Sequence, residues 1–309
     1  MDVAAALDVW RQLIRPQLEY GLEVWADGAW SAAEQLQIRV GRRILGCKKS
    51  TAAAAIRGEL GWWRAHVRCD YLRLQYWHRL VYMDEDRLTK QLYRATRAAV
   101  MVSGNDNFWC SDIFQILQRL GLEAYWLSEE LPSRSEWAKL TRRRLQESEE
   151  KLWLLEINQL PKLRTYRLLK YKLACERYLY VLPREQRMTI TQLRVGVNQL
   201  RIESGRWKRE PVECRICRMC YLDIEDERHF LMNCPAYSAE RLRMMADIVQ
   251  VTGGRLRLKE LLSDDARLRV LIGCGCMDEC FVSVYKIVAR FVARCFTYRT
   301  EFLLSASVR

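Results

Sequence analysis

Cys214-Arg215-Ile216-Cys217 places two thiols three residues apart, and His229 and Cys234 follow to make C-x2-C-x11-H-x4-C. Zinc takes four Cys or His ligands in a tetrahedron, and one tight turn can present both thiolates of a C-x2-C pair to the same ion. His229 is one of only three histidines in the chain, which sets its place among cysteines apart from chance. Cys217-Arg218-Met219-Cys220 is a second C-x2-C. The rival ligand set is therefore Cys217, Cys220, His229 and Cys234, and the spacing of the first set is preferred here. Four protein ligands leave no position for water, so a single Zn2+ at this place is structural and not catalytic. Cys274, Cys276 and Cys280 form another group. It has no neighbouring histidine, and it reads as buried thiols.

A basic segment leads into the metal motif. Arg187, Arg194 and Arg201 recur every seven residues with Asn198 between the last two, which on one helix puts them on one face. Gly205 then opens the turn Arg206-Trp207-Lys208-Arg209. Guanidinium forks match phosphate oxygens, and an exposed indole can stack on a base. Within the motif, Asp223-Ile224-Glu225-Asp226-Glu227 is strongly acidic and cannot face phosphate. The expected nucleic-acid surface is therefore the Arg194–Arg209 side, or the helix carrying Arg241 and Arg243.

These residues need helices to position them. Fourteen Gly and six Pro in 309 residues favour long helices over a strand-rich fold, and the expected class is all-α with one zinc-stapled insert. Val3 to Trp25 has helical spacing divided by Pro16. Capping boxes open helices at Ser31/Glu34 and Ser133/Glu136, and Thr51 is placed to cap Ala52–Leu60. Further helices are expected over Trp62–Met83, Arg87–Val102, Ile113–Leu120, Arg164–Val181 and Thr189–Ile202. The last of these is weakened by Gly196. Pro235 suits the first turn of a helix to Val251, Gly253-Gly254 ends it, Ser263 caps a short helix, and a final helix fills 281–304. Four segments follow from this: an N-terminal helical segment 1–61, a connector 62–183, the basic helix and metal module 184–251, and C-terminal helices 252–309.

The chain carries 51 Lys and Arg against 38 Asp and Glu, a net +13, which attracts polyanions. Half of the residues are hydrophobic, enough to exclude a disordered composition. The start Met1-Asp2-Val3-Ala4 lacks a secretion signal, and scattered cysteines without export read as reduced and intracellular, nuclear or cytoplasmic. No uncharged run approaches the roughly twenty apolar residues of a membrane span. The aromatics of Trp62–Arg79 are expected in the core with arginines reaching outward. Arg142-Arg143-Arg144, balanced by Glu147, Glu149 and Glu150, reads as a solvated face.

Together these residues resemble the C-terminal part of reverse transcriptases of non-LTR (LINE-type) retrotransposons, beyond the polymerase palm. Leu13 to Gly21, Glu23-Val24-Trp25, Leu45-Gly46 and Gly58-Glu59-Leu60-Gly61 look like the thumb and its continuation. Leu163-Arg164-Thr165-Tyr166, Leu193-Arg194 and Leu200 to Arg206 look like the approach to that family's zinc module. Cys214, Cys217, Ile224 to Glu227, His229-Phe230 and Cys234 to Tyr237 look like the module itself. The resemblance implies RNA or target DNA as partner and zinc as the bound metal, with no small-molecule substrate. It also implies no enzymatic activity for this chain. The aromatic-x-Asp-Asp hairpin that holds two catalytic metal ions is missing, and the sole Asp-Asp, Asp264-Asp265, reads as a helix start. The chain is then expected to be a polymerase piece without its active site: a truncated copy, a partial gene model or a co-opted fragment.

Overall fold

The computed structural model describes residues 2–25, 30–103, 109–261, 263–273 and 281–307. Cys274, Cys276 and Cys280 lie outside these. Among the described residues every regular element is helical, and extended pairing is limited to two isolated bridges, Leu60 with Cys175 and Ile216 with Ile224. The all-α expectation holds. The principal helices are α1 (Ser31–Leu45), α2 (Ala53–Leu60), α3 (Ala65–Val81), α4 (Leu88–Ser103), α5 (Trp109–Leu120), α6 (Glu123–Ser128), α7 (Arg134–Gln159), α8 (Arg184–Arg194), α9 (Arg201–Trp207), α10 (Ser238–Val251), α11 (Asp264–Ile272) and α12 (Phe281–Ser307). Ahead of them the chain is helical over Val3–Val9, takes a π turn at Trp10–Ile14, and resumes at Arg15–Glu19 with Pro16 in its first turn. Proline has no N–H to donate and its ring crowds the carbonyl four residues back, which accounts for the division there.

Two compact units are built from these helices, and they do not follow the four segments drawn from the sequence. One comprises residues 1–7, 38–62 and 154–309; the other comprises 8–37 and 63–153.

In the second unit, α3 and α7 run antiparallel. Arg64 binds Glu149, Gln75 donates to Thr141, and the Trp137 indole donates to the Leu74 carbonyl. Trp77, Trp126 and Trp137 are fully buried and mutually packed, with ring centroids 5.9 and 5.6 Å from Trp77. The aromatics of α3 are thus core, as their helical spacing predicts. The Ser133/Glu136 box forms in both directions: the Ser133 N–H donates to the Glu136 carboxylate at 3.1 Å, and the Glu136 N–H to Ser133 Oγ at 3.4 Å.

In the first unit, α2 ends on Gly61 at φ +64, where a Cβ would come within 2.5 Å of the Cys175 backbone nitrogen. Cys175 is there because Leu60 bridges it and the Glu176 N–H donates to the Glu59 carbonyl at 2.9 Å. This pairing overturns the helix expected over Arg164–Val181. Only single turns form, at Pro161–Leu163, Tyr166–Leu169 and Tyr178–Val181, because at Cys175 and Glu176 the intervening backbone pairs with Leu60 and Glu59 and does not continue a helix. The helix expected over Thr189–Ile202 is also corrected. α8 starts after Pro183 and stops at Gly196, whose φ of +64 turns the chain before α9 begins. Gly205 lies inside α9, which ends instead at Lys208 and Arg209, the latter at φ +57. Thr51 makes no cap; α2 begins on Ala52 without a side-chain cap bond. The Ser263 cap, the Gly253-Gly254 break and the Pro235 helix entry are all present. No helix among the described residues is long and apolar enough to cross a membrane.

Candidate metal centre and its arginine frame

Antiparallel pairing of Ile216 with Ile224 starts the metal module, with the Cys217 N–H donating to the Asp223 carbonyl and the Glu225 N–H to the Arg215 carbonyl. Cys217-Arg218-Met219-Cys220 makes the tight turn that follows. The Tyr221 N–H closes it on the Cys217 carbonyl at 2.8 Å, and Tyr221 takes φ +57. On the other side, Asp226 Oδ1 accepts the His229 N–H at 2.7 Å, and a π turn over His229–Asn233 closes with the Cys234 N–H on the His229 carbonyl. The two turns face each other.

Their side chains converge on one point. The ligand atoms of Cys217, Cys220, His229 and Cys234 all lie within 4.8 Å of one another. Cys217 Sγ is 3.9 Å from Cys234 Sγ, and Cys220 Sγ is 3.3 Å from His229 Nε2. Zinc–sulfur bonds of about 2.3 Å at tetrahedral angles put sulfurs about 3.8 Å apart, so the donor set suits zinc in number, type and spacing. The expected member Cys214 is not in it. Cys214 ends a 3-10 turn, is exposed, and precedes the Ile216–Ile224 pairing. The turn inside the hairpin brings Cys220 and not Cys214 to Cys217, His229 and Cys234, so the rival Cys220 completes the set of four.

The neighbouring sulfurs act on one another's protons. The Cys217 thiol is pushed up to about 12, first by the adjoining Cys234 sulfur and then by burial, while hydrogen bonding from Cys217 lowers Cys234. One thiolate beside another raises the second proton's hold unless a cation lies between them. Backbone N–H groups of Met219 and Cys220 favour the Cys217 thiolate, and that of Ala236 favours Cys234. His229 Nδ1 is buried without a hydrogen bond, and the Asp223 carboxylate is 3.9 Å from it.

The arginines expected on a surface stripe are inside. Arg194 is fully buried. Its guanidinium donates to Glu59 at 2.9 and 3.1 Å and to the Ile272 carbonyl, and lies over the Tyr178 ring at 5.3 Å. Arg187 is buried, and buried Arg201 pairs with Glu210. Asn198 is buried and donates to Glu227. Because Gly196 breaks the helix between Arg194 and Arg201, the seven-residue spacing does not describe one face. Arg241 is buried as well. It donates to the carbonyls of Leu231 and Cys234, both at 2.9 Å, and clamps the π turn that carries His229.

Glu225 and Glu227 of the acidic loop are the other half of this frame, while Asp223 stays exposed. Glu225 and Glu227 are at most 1% exposed. Glu225 accepts from Nε and one terminal nitrogen of Arg299, both at 2.8 Å, and from the Arg201 backbone N–H. Glu227 accepts from Arg164, Thr165 and Asn198. Sequence reasoning missed the roles of Glu59, Arg164 and Arg299. The dense carboxylates at 223–227 amid a chain-wide arginine excess were the available signal for them. Of the expected contact residues, Trp207, Lys208, Arg209 and Arg243 remain exposed, and Arg206 is half-buried on Glu203 with its guanidinium over the Trp207 ring. Arg243 pairs with Glu240. Asp264-Asp265 opens α11, with Asp264 held by Arg267 and Asp265 by Arg228. Compared with protein-family models, curated proteins and solved structures, the chain matches none of them.

Proposed function

We propose that the chain is a non-enzymatic nucleic-acid-binding region of a non-LTR retrotransposon reverse transcriptase-like protein, in which one structural Zn2+ on Cys217, Cys220, His229 and Cys234 fixes a basic contact surface. One observation carries this reading: the Cys3His cluster stands in the same unit as the exposed turn Trp207–Arg209, beside which Glu203 and Glu210 are already taken. Glu203 holds Arg164 and Arg206, and Glu210 holds Arg201. Lys208 and Arg209, exposed beside Trp207 at 66% exposure, are thereby left to external anions. Zinc would supply folding free energy to the two facing turns and no chemistry, because every coordination position is a side chain.

Labelled RNA and DNA oligonucleotides titrated with the full chain should bind with strong salt dependence. Trp207→Ala/Lys208→Gln/Arg209→Gln should weaken binding several-fold. No binding at about 50 mM salt, where counterion release still favours association, would sink the proposal. A second reading, a zinc-stapled scaffold without nucleic-acid contact, draws on the burial of Arg187, Arg194, Arg201 and Arg241. It predicts that the triple variant changes nothing.

A further inference from the structure

A separate group of arginines gathers in the second unit with too few carboxylates to neutralise it. Arg15 and Arg68 share the single partner Glu19, at 3.6 and 2.8 Å. The Arg68 and Arg142 guanidiniums both lie against the Tyr71 ring, 5.5 and 5.2 Å from its centroid. Arg15 is held below the ordinary arginine value by burial and then by repulsion from Arg68, Arg11 and Arg142, against the pull of Glu19. Arg142 is exposed like Arg143 and Arg144, as expected, but the carboxylates expected to balance it go elsewhere: Glu147 to Arg143 and Arg144, Glu149 to Arg64, and Glu150 to the Gln146 amide.

The positive surface continues along the α3–α7 seam. Arg68 and Arg79 are eleven residues apart on α3, a rise of about 16 Å and close to three full turns, which returns them to one face. Gln75, bonded to Thr141 of α7, sits between them. At the far end Arg79 and Arg134 line a hollow of about 430 Å³ with Gln75, Tyr76 and Tyr82, and with one carboxylate, Glu23. Arg11, Arg79, Arg134 and Arg142 are exposed, and none has a carboxylate within ion-pair distance among the described residues. A guanidinium fork matches phosphate oxygens; Arg68 already gives Nε and one terminal nitrogen to Glu19, so the exposed Arg11 and Arg142 are the groups open to an anion at this end. Because the Tyr71 ring carries guanidiniums, it is not open to a base. Recognition here is of the backbone.

We propose that the seam marked by Arg11, Arg15, Arg68 and Arg142 at one end and Arg79 and Arg134 at the other is a second binding track, in a different unit from the metal centre, for the phosphodiester backbone of a nucleic acid. The track rests on the nucleic-acid reading above and extends it to sequence-independent contacts remote in sequence from the zinc module.

The test uses the full chain with Arg11→Gln/Arg79→Gln/Arg134→Gln/Arg142→Gln. These positions make no ion pair among the described residues, and an unchanged circular dichroism spectrum and melting temperature verify that the variant is folded. Fluorescence anisotropy with single-stranded RNA, single-stranded DNA and duplex DNA is measured across a salt series. The variant should bind at least about tenfold more weakly at low salt, with the slope of log affinity against log salt reduced by about three, near 0.7–0.9 for each phosphate no longer neutralised. The strand form whose affinity falls furthest identifies which backbone the track follows. Affinity and slope unchanged within twofold, while Trp207→Ala/Lys208→Gln/Arg209→Gln still weakens binding, would overturn the track and leave the zinc-side surface standing. Failure of the unaltered chain to bind any strand would overturn both. Binding to anionic phosphatidylserine vesicles that oligonucleotide does not compete away, and that the quadruple variant abolishes, would reassign the seam to a membrane surface and overturn the proposal.

Discussion

Cys214 and Cys220 each stand three residues from Cys217, so spacing alone treats them as equal partners for one ion. What separates them is the side of the Ile216–Ile224 bridge on which each falls. Purified chain should hold about one zinc by elemental analysis, the stoichiometry of a single four-ligand site. Cys220→Ser should lose most of that metal and part of the fold, while Cys214→Ser keeps both; the reverse pattern would refute the ligand set. Lys162 gives a second residue-level test. Its ammonium, donating to the Ser50 carbonyl at 2.7 Å, is pushed down to about 8 by burial first and by Arg206 second. In this case the folded value lies below the unfolded one, so the folded chain bears the cost of the charge in full below about pH 8. That cost is relieved as pH rises toward the ordinary lysine value, and stability attributable to Lys162 increases over that window. The urea midpoint of the unaltered chain relative to Lys162→Met should therefore climb between pH 7.5 and 10, and a flat difference would contradict the assignment.

At the scale of elements, buried ion pairs tie α2, α8 and the loop before the module together. Arg194 meets Glu59, and the Tyr178 hydroxyl donates to the same carboxylate at 2.5 Å. Removing one member strands a charge in the core. Arg194→Met should cost about 3–5 kcal/mol in chemical denaturation, whereas Glu59→Gln/Arg194→Met should recover much of that by removing the stranded carboxylate. If the double variant is as unstable as the single one, packing and not charge governs the site. The segments Gly58-Glu59-Leu60-Gly61, Leu163-Arg164-Thr165-Tyr166 and Leu193-Arg194 are strung far apart along the chain. In the fold they meet: Glu59 binds Arg194, Arg194 lies over Tyr166, and Arg164 and Thr165 hold Glu227. Their spacing in sequence carries no hint of this, because the longest of these contacts closes a loop of more than a hundred residues.

For the molecule as a whole, charge has to be sorted by burial before it says anything about partners. Among the described residues eleven buried Lys and Arg face seven buried Asp and Glu, so the larger part of the +13 stays on partly or fully exposed side chains. The salt sensitivity expected of nucleic-acid binding comes from that remainder, and each phosphate contact adds about 0.7–0.9 to the slope. The candidates for it are the Trp207–Arg209 turn in one unit and the arginine seam in the other.

By itself the sequence determined the helical class, most helix starts and stops, and the presence of a Cys/His cluster. These are local matters, set by periodicity, caps, glycines and ligand spacing within a turn or two. Tertiary structure alone decided which cysteine completes the cluster, which arginines face water, and that Glu225 and Glu227 of the acidic loop point inward. A charged side chain reads the same in sequence whether it meets solvent or a carboxylate far along the chain. Only packing brings that carboxylate within about 3 Å, the span of a charge-assisted hydrogen bond, and with it the difference between an anchor and a contact surface.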